Sequence, residues 1–109
     1  MKWTNDKSNL YDVAVKQLGA KERVLPKCCA HPEVHIYAWR HDKKGGRRNS
    51  AWVWCSNCGA YAHIDGILLH DDWEDSLEID NSQLTAIPDY QESKKTVIDK
   101  HMARFMKVG

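Results

Sequence analysis

The four cysteines of this 109-residue chain lie in two groups, and their spacing constrains the fold more than any other feature. Cys28 and Cys29 stand just before His31, and Cys55 and Cys58 follow after a gap long enough for a β-hairpin. Two closely spaced pairs of thiol or imidazole groups, separated by such a gap, are typical of a chain that encloses a tetrahedral zinc ion. The spacing therefore predicts a structural zinc ribbon with Cys28, His31, Cys55 and Cys58 as the Zn²⁺ ligands.

Two alternatives to this ligand set remain open at the level of the sequence. Cys29 is a spare thiol beside Cys28 and could replace it as a ligand. The thiols could also form disulfides or stay free, but that chemistry belongs to oxidising compartments. The N-terminus has no apolar core of the kind that a signal peptide needs, and no apolar run reaches the length of a membrane span. We therefore expect a cytoplasmic protein whose cysteines bind metal.

The rest of the chain is expected to pack around the ribbon as one α+β domain, residues 1–109. A small zinc-ribbon core at 28–64 would hold an antiparallel β-hairpin within a three-stranded sheet. Apolar residues at three- and four-residue spacing predict a helix at 6–18 before the ribbon. An acidic segment at 65–87 follows the ribbon, and a second amphipathic helix is predicted at 89–106, directly after Pro88.

Residues alternate in character along the three predicted strands, Val34–His41, Ser50–Cys55 and Ala60–Ile64. One side of this sheet would be aliphatic and the other aromatic. A sheet that is apolar on both sides must be covered by other elements on each side, or one side must bind a ligand or a partner. Packing of the aromatic side in the core is the simpler outcome. The aromatic side would carry His35, Tyr37, Trp39, Trp52, Trp54, Tyr61 and His63.

The formal net charge of +1 hides a strong segregation of charge along the chain. Residues 1–48 carry a net charge of +6, residues 65–92 carry −9 with no Lys or Arg, and residues 93–109 carry +4. Such an acidic band, with apolar residues inside it, suits a basic protein partner, although it could equally be a solvated surface. The residues predicted to bind the partner are Asp71, Asp72, Trp73, Glu74, Asp75 and Glu78.

The predicted connection between the first two strands is a basic loop, which we call the hairpin tip (residues 42–49). Basic side chains surround its two glycines and lie close to the aromatic side of the sheet. Such a loop could hold phosphate while the aromatic rings stack on bases, or it could be a solvated loop that keeps the sheet edge soluble. The possible nucleic-acid-binding residues are Lys43, Lys44, Arg47 and Arg48.

Two enzymatic interpretations of the same residues have less support than a structural zinc site. His31-Pro32-Glu33, together with the later pair of cysteines, formally matches the H-x-E and C-x-x-C arrangement of zinc deaminases. However, Trp54 stands where that motif has proline, and a hairpin is predicted where those enzymes place a helix and a strand. Nucleophilic catalysis by a Cys–His pair, or hydrolysis using His63 and Asp65, lacks a third group at recognisable spacing. We therefore expect no enzymatic activity.

The run Ser50–His63 resembles the second half of small bacterial and phage zinc-ribbon proteins, such as those encoded beside polymorphic or contact-dependent toxins as immunity proteins. Trp73 within an acidic stretch and Ile87-Pro88 before the last helix are also similar to that group. The likeness covers roughly residues 28–106, and its specific motif is the Cys55–Cys58 knuckle.

This resemblance implies a cytosolic inhibitor that binds a toxin domain and blocks it without catalysis. Residues 65–92 would occupy a basic cleft of the toxin. The first hypothesis for function is therefore a non-enzymatic zinc-ribbon protein that neutralises a protein partner. The second is a nucleic-acid-binding ribbon that uses the hairpin tip and the aromatic side of the sheet.

Overall fold

Four strands and three helices form the described part of the chain. The computed structural model describes residues 2–40, 49–75 and 79–107. The strands are β1 (Thr4–Asn5), β2 (Val34–Arg40), β3 (Asn49–Cys55) and β4 (Ala60–Asp65). The helices are α1 (Lys7–Ala20), α2 (Asp89–Ser93) and α3 (Lys95–Lys107), with a short 3₁₀ turn at Asn81–Gln83. The α+β class that the sequence predicts is confirmed.

Strands β2, β3 and β4 form an antiparallel meander in which β3 is central. Tyr37 of β2 lies opposite Trp52 of β3, and Trp52 lies opposite His63 of β4. Residues directly opposite each other project to the same side of a sheet, so aromatic rings gather on one side and aliphatic side chains on the other. The predicted alternation is therefore confirmed.

The prediction of three strands is wrong because a fourth strand lies at the sheet edge. Strand β1 pairs in parallel with β4, with Thr4 opposite Ala60, which gives the order β1-β4-β3-β2. The backbone N–H of Thr4 donates to the carbonyl of Gly59 at 2.9 Å, and that of Asp6 donates to Tyr61 at 2.8 Å. A two-residue strand has no alternation to detect, which is why the sequence pattern missed it.

Helix α1 covers the aliphatic side of the sheet. Leu10, Ala14 and Leu18 are fully buried there and pack with Val53 of β3. The helix runs two residues beyond the predicted end because Lys21 takes the left-handed conformation at φ 56° and donates its N–H to Gln17. This capping role is usually given to glycine, since a side chain is strained in that conformation.

The single C-terminal helix that the sequence predicts is in fact two helices, since α2 ends at Ser93 and α3 begins at Lys95. Lys94 between them has φ −108° and ψ 13°, outside the helical range. Ile98, Met102 and Phe105 of α3 are buried, as an amphipathic helix requires, whereas Val97 is about half exposed. Helix α3 packs mainly against β2 at one edge of the sheet.

None of the helices in the described ranges combines the length and the apolar character that a membrane crossing requires.

Candidate metal centre

The structure brings all four cysteines to one place. One ligand atom from each of Cys28, Cys29, Cys55 and Cys58 lies within 4.8 Å of the others. The sulfurs of Cys29 and Cys55 are 3.8 Å apart. Four thiolates at about 2.3 Å from one tetrahedral zinc ion would stand about 3.8 Å apart, whereas a disulfide needs about 2.05 Å. The cluster therefore fits a four-coordinate metal ion and could hold one.

The second half of the cluster lies in the tight turn between β3 and β4. Cys55 is the last residue of β3 and is buried, and Cys58 lies in the turn and is exposed. Gly59 closes the turn at φ 79°, where a side chain would be strained, and its N–H donates to the carbonyl of Cys55 at 3.0 Å. The Cys55-x-x-Cys58-Gly59 run therefore folds as a tight turn that carries both of its cysteines to the cluster.

The first half of the cluster differs from the predicted ligand set. Cys29 occupies the place that the spacing predicts for His31, and Cys28 is present as well. A bend over residues 28–31 lets two adjacent side chains face the same point. His31 is exposed and outside the cluster, and its carbonyl accepts a hydrogen bond from the side chain of Asn57 at 2.9 Å.

Backbone and side-chain hydrogen bonds join the two halves. The N–H of Glu33 donates to the sulfur of Cys55 at 3.4 Å, and the N–H of Ser56 donates to the carbonyl of Glu33 at 2.9 Å. The Asn57 amide also reaches the sulfur of Cys29 at 3.8 Å. Such donors stabilise negative charge on sulfur, as the outer-shell groups of metal sites do.

The thiol pKa values fit a cluster that is built for a cation. Burial alone would raise the pKa of Cys55, but backbone N–H groups of Cys58, Glu33 and Asn57 lower it to about 7. Burial, together with hydrogen bonds from the neighbouring thiols, raises the pKa of Cys28, and burial also raises that of Cys58. The Cys55 thiolate is therefore readily formed, whereas Cys28 and Cys58 resist ionisation without a positive charge beside them. A divalent metal supplies that charge and deprotonates coordinating thiols.

A network of polar side chains connects the turn between β3 and β4 to the C-terminal helices, and no pattern in the sequence indicates it. Ser56 Oγ donates to both carboxylate oxygens of Glu92 in α2, at 2.9 and 2.7 Å, and lies 2.8 Å from Nε2 of His35. His35 is buried, and its Nδ1 lies 2.7 Å from Oδ1 of Asp99 in α3. The buried indole of Trp54 also donates to Glu92 at 2.7 Å. The participants are too far apart in sequence for spacing to relate them.

The acidic segment is fixed to the body of the protein. Trp73, predicted to contact a partner, is buried in the core with its ring edge-on to Phe105 at 5.1 Å, so its indole is not available to a partner. Asp72 forms an ion pair with Lys21. Arg40 donates to the carbonyl of Trp73 at 3.0 Å and to the carboxylate of Asp75 at 3.2 Å.

Two of the predicted partner-binding residues remain available on this anchored segment. Asp71 and Glu74 are exposed, and neither makes a hydrogen bond or an ion pair with another residue that the structure describes. Glu78, the last predicted member, lies outside the described residues. The four predicted nucleic-acid-binding residues Lys43, Lys44, Arg47 and Arg48 also lie outside them.

No protein-family model matches this chain, and neither a curated protein nor a solved structure is significantly similar to it.

Proposed function

We propose that the cysteine cluster binds one structural Zn²⁺ ion through four thiolates. The support is the separation of the sulfurs and the donor set, since zinc sites in small domains are commonly built from four cysteines in tetrahedral geometry. The expected result is one equivalent of zinc by elemental analysis in protein purified under reducing conditions. Folded protein with no bound metal would contradict the proposal.

We also propose that the protein acts by binding and not by catalysis. A zinc ion held by four protein thiolates has no open position for a reactive water. The Glu33 carboxylate, which the deaminase interpretation needs beside the metal, lies 3.3 Å from Nε2 of His35 and 3.5 Å from Nζ of Lys95. Asp99, His35 and Ser56 follow the order of a hydrolytic triad, but the single hydroxyl proton of Ser56 is directed to Glu92, so the serine is not set up as a nucleophile.

The partner that the surface fits best is a basic protein. The observation that carries this proposal is the pair of exposed carboxylates, Asp71 and Glu74, on a segment that Trp73, Arg40 and Lys21 clamp to the domain. A clamped segment loses little conformational entropy on binding, so its charges are preorganised for a cationic surface. Residues 65–92 contain nine carboxylates and no Lys or Arg, a charge pattern that suits a cationic partner better than a polyanion.

Together with the resemblance of Ser50–His63 to immunity proteins, this surface leads us to propose that the protein neutralises a toxin domain with a basic cleft. The test is affinity purification with the product of the neighbouring gene. We expect a stoichiometric complex that weakens when Asp71→Asn and Glu74→Gln are combined. The matched control combines Asp12→Asn and Glu22→Gln, which alter exposed carboxylates elsewhere. Failure to recover any complex, or equal loss in the control, would contradict the proposal.

A further inference from the structure

The cysteine cluster is accessible from one side. Cys58 is exposed in the turn between β3 and β4, whereas Cys55 is buried. Cys28 and Cys29 are half-buried. A sulfur is oxidised where it has thiolate character and a small oxidant can reach it. Because coordination to zinc keeps a thiol deprotonated, Cys58 in the zinc-bound protein combines negative charge with access to solvent.

The other sulfurs of the cluster are close enough to Cys58 to form a disulfide with it. All four lie within 4.8 Å of one another, and a change of side-chain rotamer can close such a gap. Cys28 and Cys29 are poor partners for each other. Their Cα atoms are about 3.8 Å apart across the trans peptide between them, below the usual range of about 4.4–6.8 Å for a disulfide. A disulfide in this cluster therefore involves Cys55 or Cys58.

Hydrogen bonds that do not involve sulfur also hold the two halves of the cluster together. The N–H of Ser56 donates to the carbonyl of Glu33 at 2.9 Å, and the side chain of Asn57 donates to the carbonyl of His31 at 2.9 Å. Each of these bonds joins the stretch before β2 to the turn after β3. Since neither depends on the charge of the sulfurs, we expect the two halves to stay aligned when the metal leaves.

The contacts of Cys55 favour a disulfide from Cys58 to the bend over one inside the turn. The sulfur of Cys55 accepts a hydrogen bond from the N–H of Glu33 at 3.4 Å and lies 3.8 Å from the sulfur of Cys29. A thiolate attacks an oxidised sulfur only if it has access to it. The half-buried cysteines of the bend have more freedom to turn toward Cys58 than the buried Cys55 has.

We propose that Cys58 is an oxidation site at which hydrogen peroxide exchanges the bound zinc ion for a disulfide to Cys28 or Cys29, an inference that rests on the proposed zinc site. The peroxide transfers one oxygen atom to the sulfur of Cys58, which becomes a sulfenic acid while hydroxide leaves. A thiolate of the bend then attacks this sulfur, the S–O bond breaks and a second hydroxide leaves.

The exchange balances with peroxide as the only oxidant. Two thiolates lose two electrons to form the disulfide, the peroxide gains these electrons, and the two hydroxides take up two protons to give two water molecules. The two thiolates that remain are too few to hold Zn²⁺ in a structural site, so it is released without a change in charge.

The exchange is reversible and preserves the fold. The disulfide joins the same two segments of the chain that the metal joins, so it replaces one link by another. A thiol reductant returns the cluster to four thiols that bind zinc again. Disulfides in reducing compartments are typically transient and redox-sensing, and this one would report peroxide through the loss of zinc.

The test treats the zinc-loaded protein with one equivalent of hydrogen peroxide and then digests it with trypsin without reduction. Trypsin cuts after Lys and Arg, so residues 28–40 and 49–94 are released as separate peptides, each with one half of the cluster. We expect mass spectrometry to find these peptides linked and fragmentation to assign the bond to Cys58. A chromogenic zinc chelator should detect one zinc ion released per disulfide, and dithiothreitol with added zinc should restore the starting protein.

Near-UV circular dichroism shows whether the oxidised protein stays folded, because Trp54, next to Cys55, is fully buried. We expect a nearly unchanged spectrum. Three results would overturn the proposal: no linked peptides under conditions that oxidise free glutathione completely, a disulfide confined to residues 49–94, or loss of the near-UV signal along with the zinc.

Variants locate the oxidation site. Cys58→Ser removes the exposed thiol, and we expect peroxide to release its zinc about tenfold more slowly. His31→Ala, which changes an exposed side chain outside the cluster, is the matched control and should behave like the parent. If Cys58→Ser binds no zinc, the peptide mapping of the parent decides alone. Equal rates of release in Cys58→Ser and the parent would contradict the assignment to Cys58.

Failure of this inference is distinguishable from failure of the proposed zinc site. Protein that holds one equivalent of zinc and keeps it in peroxide would refute the exchange and leave the zinc site standing. Folded, reduced protein that binds no zinc would refute the zinc site and the exchange with it.

Discussion

Two adjacent cysteines distinguish the candidate metal centre from the one that the sequence predicts. Cys28 and Cys29 both contribute to the cluster, whereas His31, the residue with the more familiar spacing, is exposed beyond the bend. A four-thiolate site carries a formal charge of −2 once Zn²⁺ is bound, one unit more negative than a site with a neutral imidazole. The N–H of Glu33 and the amide of Asn57 are placed to offset part of that charge.

The ligand set is therefore tested by two single changes. We expect Cys29→Ser to lose zinc and roughly 3 kcal/mol or more of folding free energy, since a structural zinc contributes roughly 10–16 kcal/mol through four ligands. We expect His31→Ala to keep one equivalent of zinc and nearly all of its stability. Metal analysis together with denaturation under reducing conditions checks both. Loss of zinc in His31→Ala but not in Cys29→Ser would restore the set predicted from spacing.

The difference between the two sets shows what spacing can predict. Spacing along the chain indicates a possible metal site and identifies Cys55 and Cys58 as part of the cluster, because a short turn with a glycine leaves little conformational choice. The choice between Cys29 and His31 depends on how the bend at 28–31 orients successive side chains. That orientation depends on the hydrogen bonds that Asn57 and Glu33 make across the cluster. The spacing of residues along the chain carries no information about these hydrogen bonds.

At the scale of elements, a strong apolar periodicity is sufficient to predict a helix or a strand, and a weak one is not. Helix α1 and strands β2 to β4 have clear apolar patterns, and each was predicted with small errors at its ends. The two-residue β1 has no pattern. The interruption at Lys94 is also invisible in the apolar spacing, because Glu92 turns toward Ser56 and Trp54 while α3 packs against β2.

The contact between α2 and the knuckle predicts a pH dependence of stability. Burial alone would raise the pKa of Glu92, but hydrogen bonds from Ser56, Trp54 and Lys95 lower it below its ordinary value of 4.5. A carboxyl group whose pKa is lower in the folded state stabilises the fold above its unfolded pKa. That stabilisation disappears as the pH falls through the folded pKa.

We therefore expect the free energy of unfolding to drop from about pH 5 downward, and to drop less steeply in Glu92→Gln. Urea denaturation at a series of pH values measures both slopes. The slopes are compared only at pH values where both proteins have the same metal content, so the difference between them isolates Glu92. Glu22→Gln, which changes an exposed carboxylate in the connector after α1, is the control. Identical slopes in Glu92→Gln and the parent would contradict the role of this hydrogen-bonded carboxylate.

The short strand β1 makes a second prediction at this scale. The indole of Trp3 donates to Oδ1 of Asp89 at 2.6 Å, which ties the start of the chain to the first turn of α2. We expect Trp3→Phe to lower the free energy of unfolding by about 1 kcal/mol, because the ring is largely kept while one hydrogen bond to a charged group at the surface is lost. Tyr11→Phe provides the comparison. A variant as stable as the parent in urea would show that this contact contributes nothing to the fold.

At the scale of the whole molecule, the candidate metal centre and the acidic segment belong to one folded unit, and no hydrogen bond or ion pair between described residues joins the two. The segment is clamped by Trp73 in the core and by Arg40 at the end of β2, so it depends on a folded sheet. The cysteine cluster brings the bend before β2 and the turn after β3 together. In the proposed function, a bound metal ion would therefore support partner binding only indirectly, through the fold that presents Asp71 and Glu74.

The exposed position of Asp71 and Glu74 predicts how salt acts on the proposed complex. Exposed charges steer association and are screened by salt, whereas contacts inside a formed interface govern dissociation. We expect the association rate constant to fall by about tenfold or more between about 0.05 and 0.5 M salt, with a much smaller change in the dissociation rate constant. Combining Asp71→Asn with Glu74→Gln should flatten the salt dependence of association and leave the zinc content unchanged. Surface plasmon resonance with the purified partner measures both rate constants. A salt dependence equal to that of the parent would place the steering charges elsewhere on the molecule.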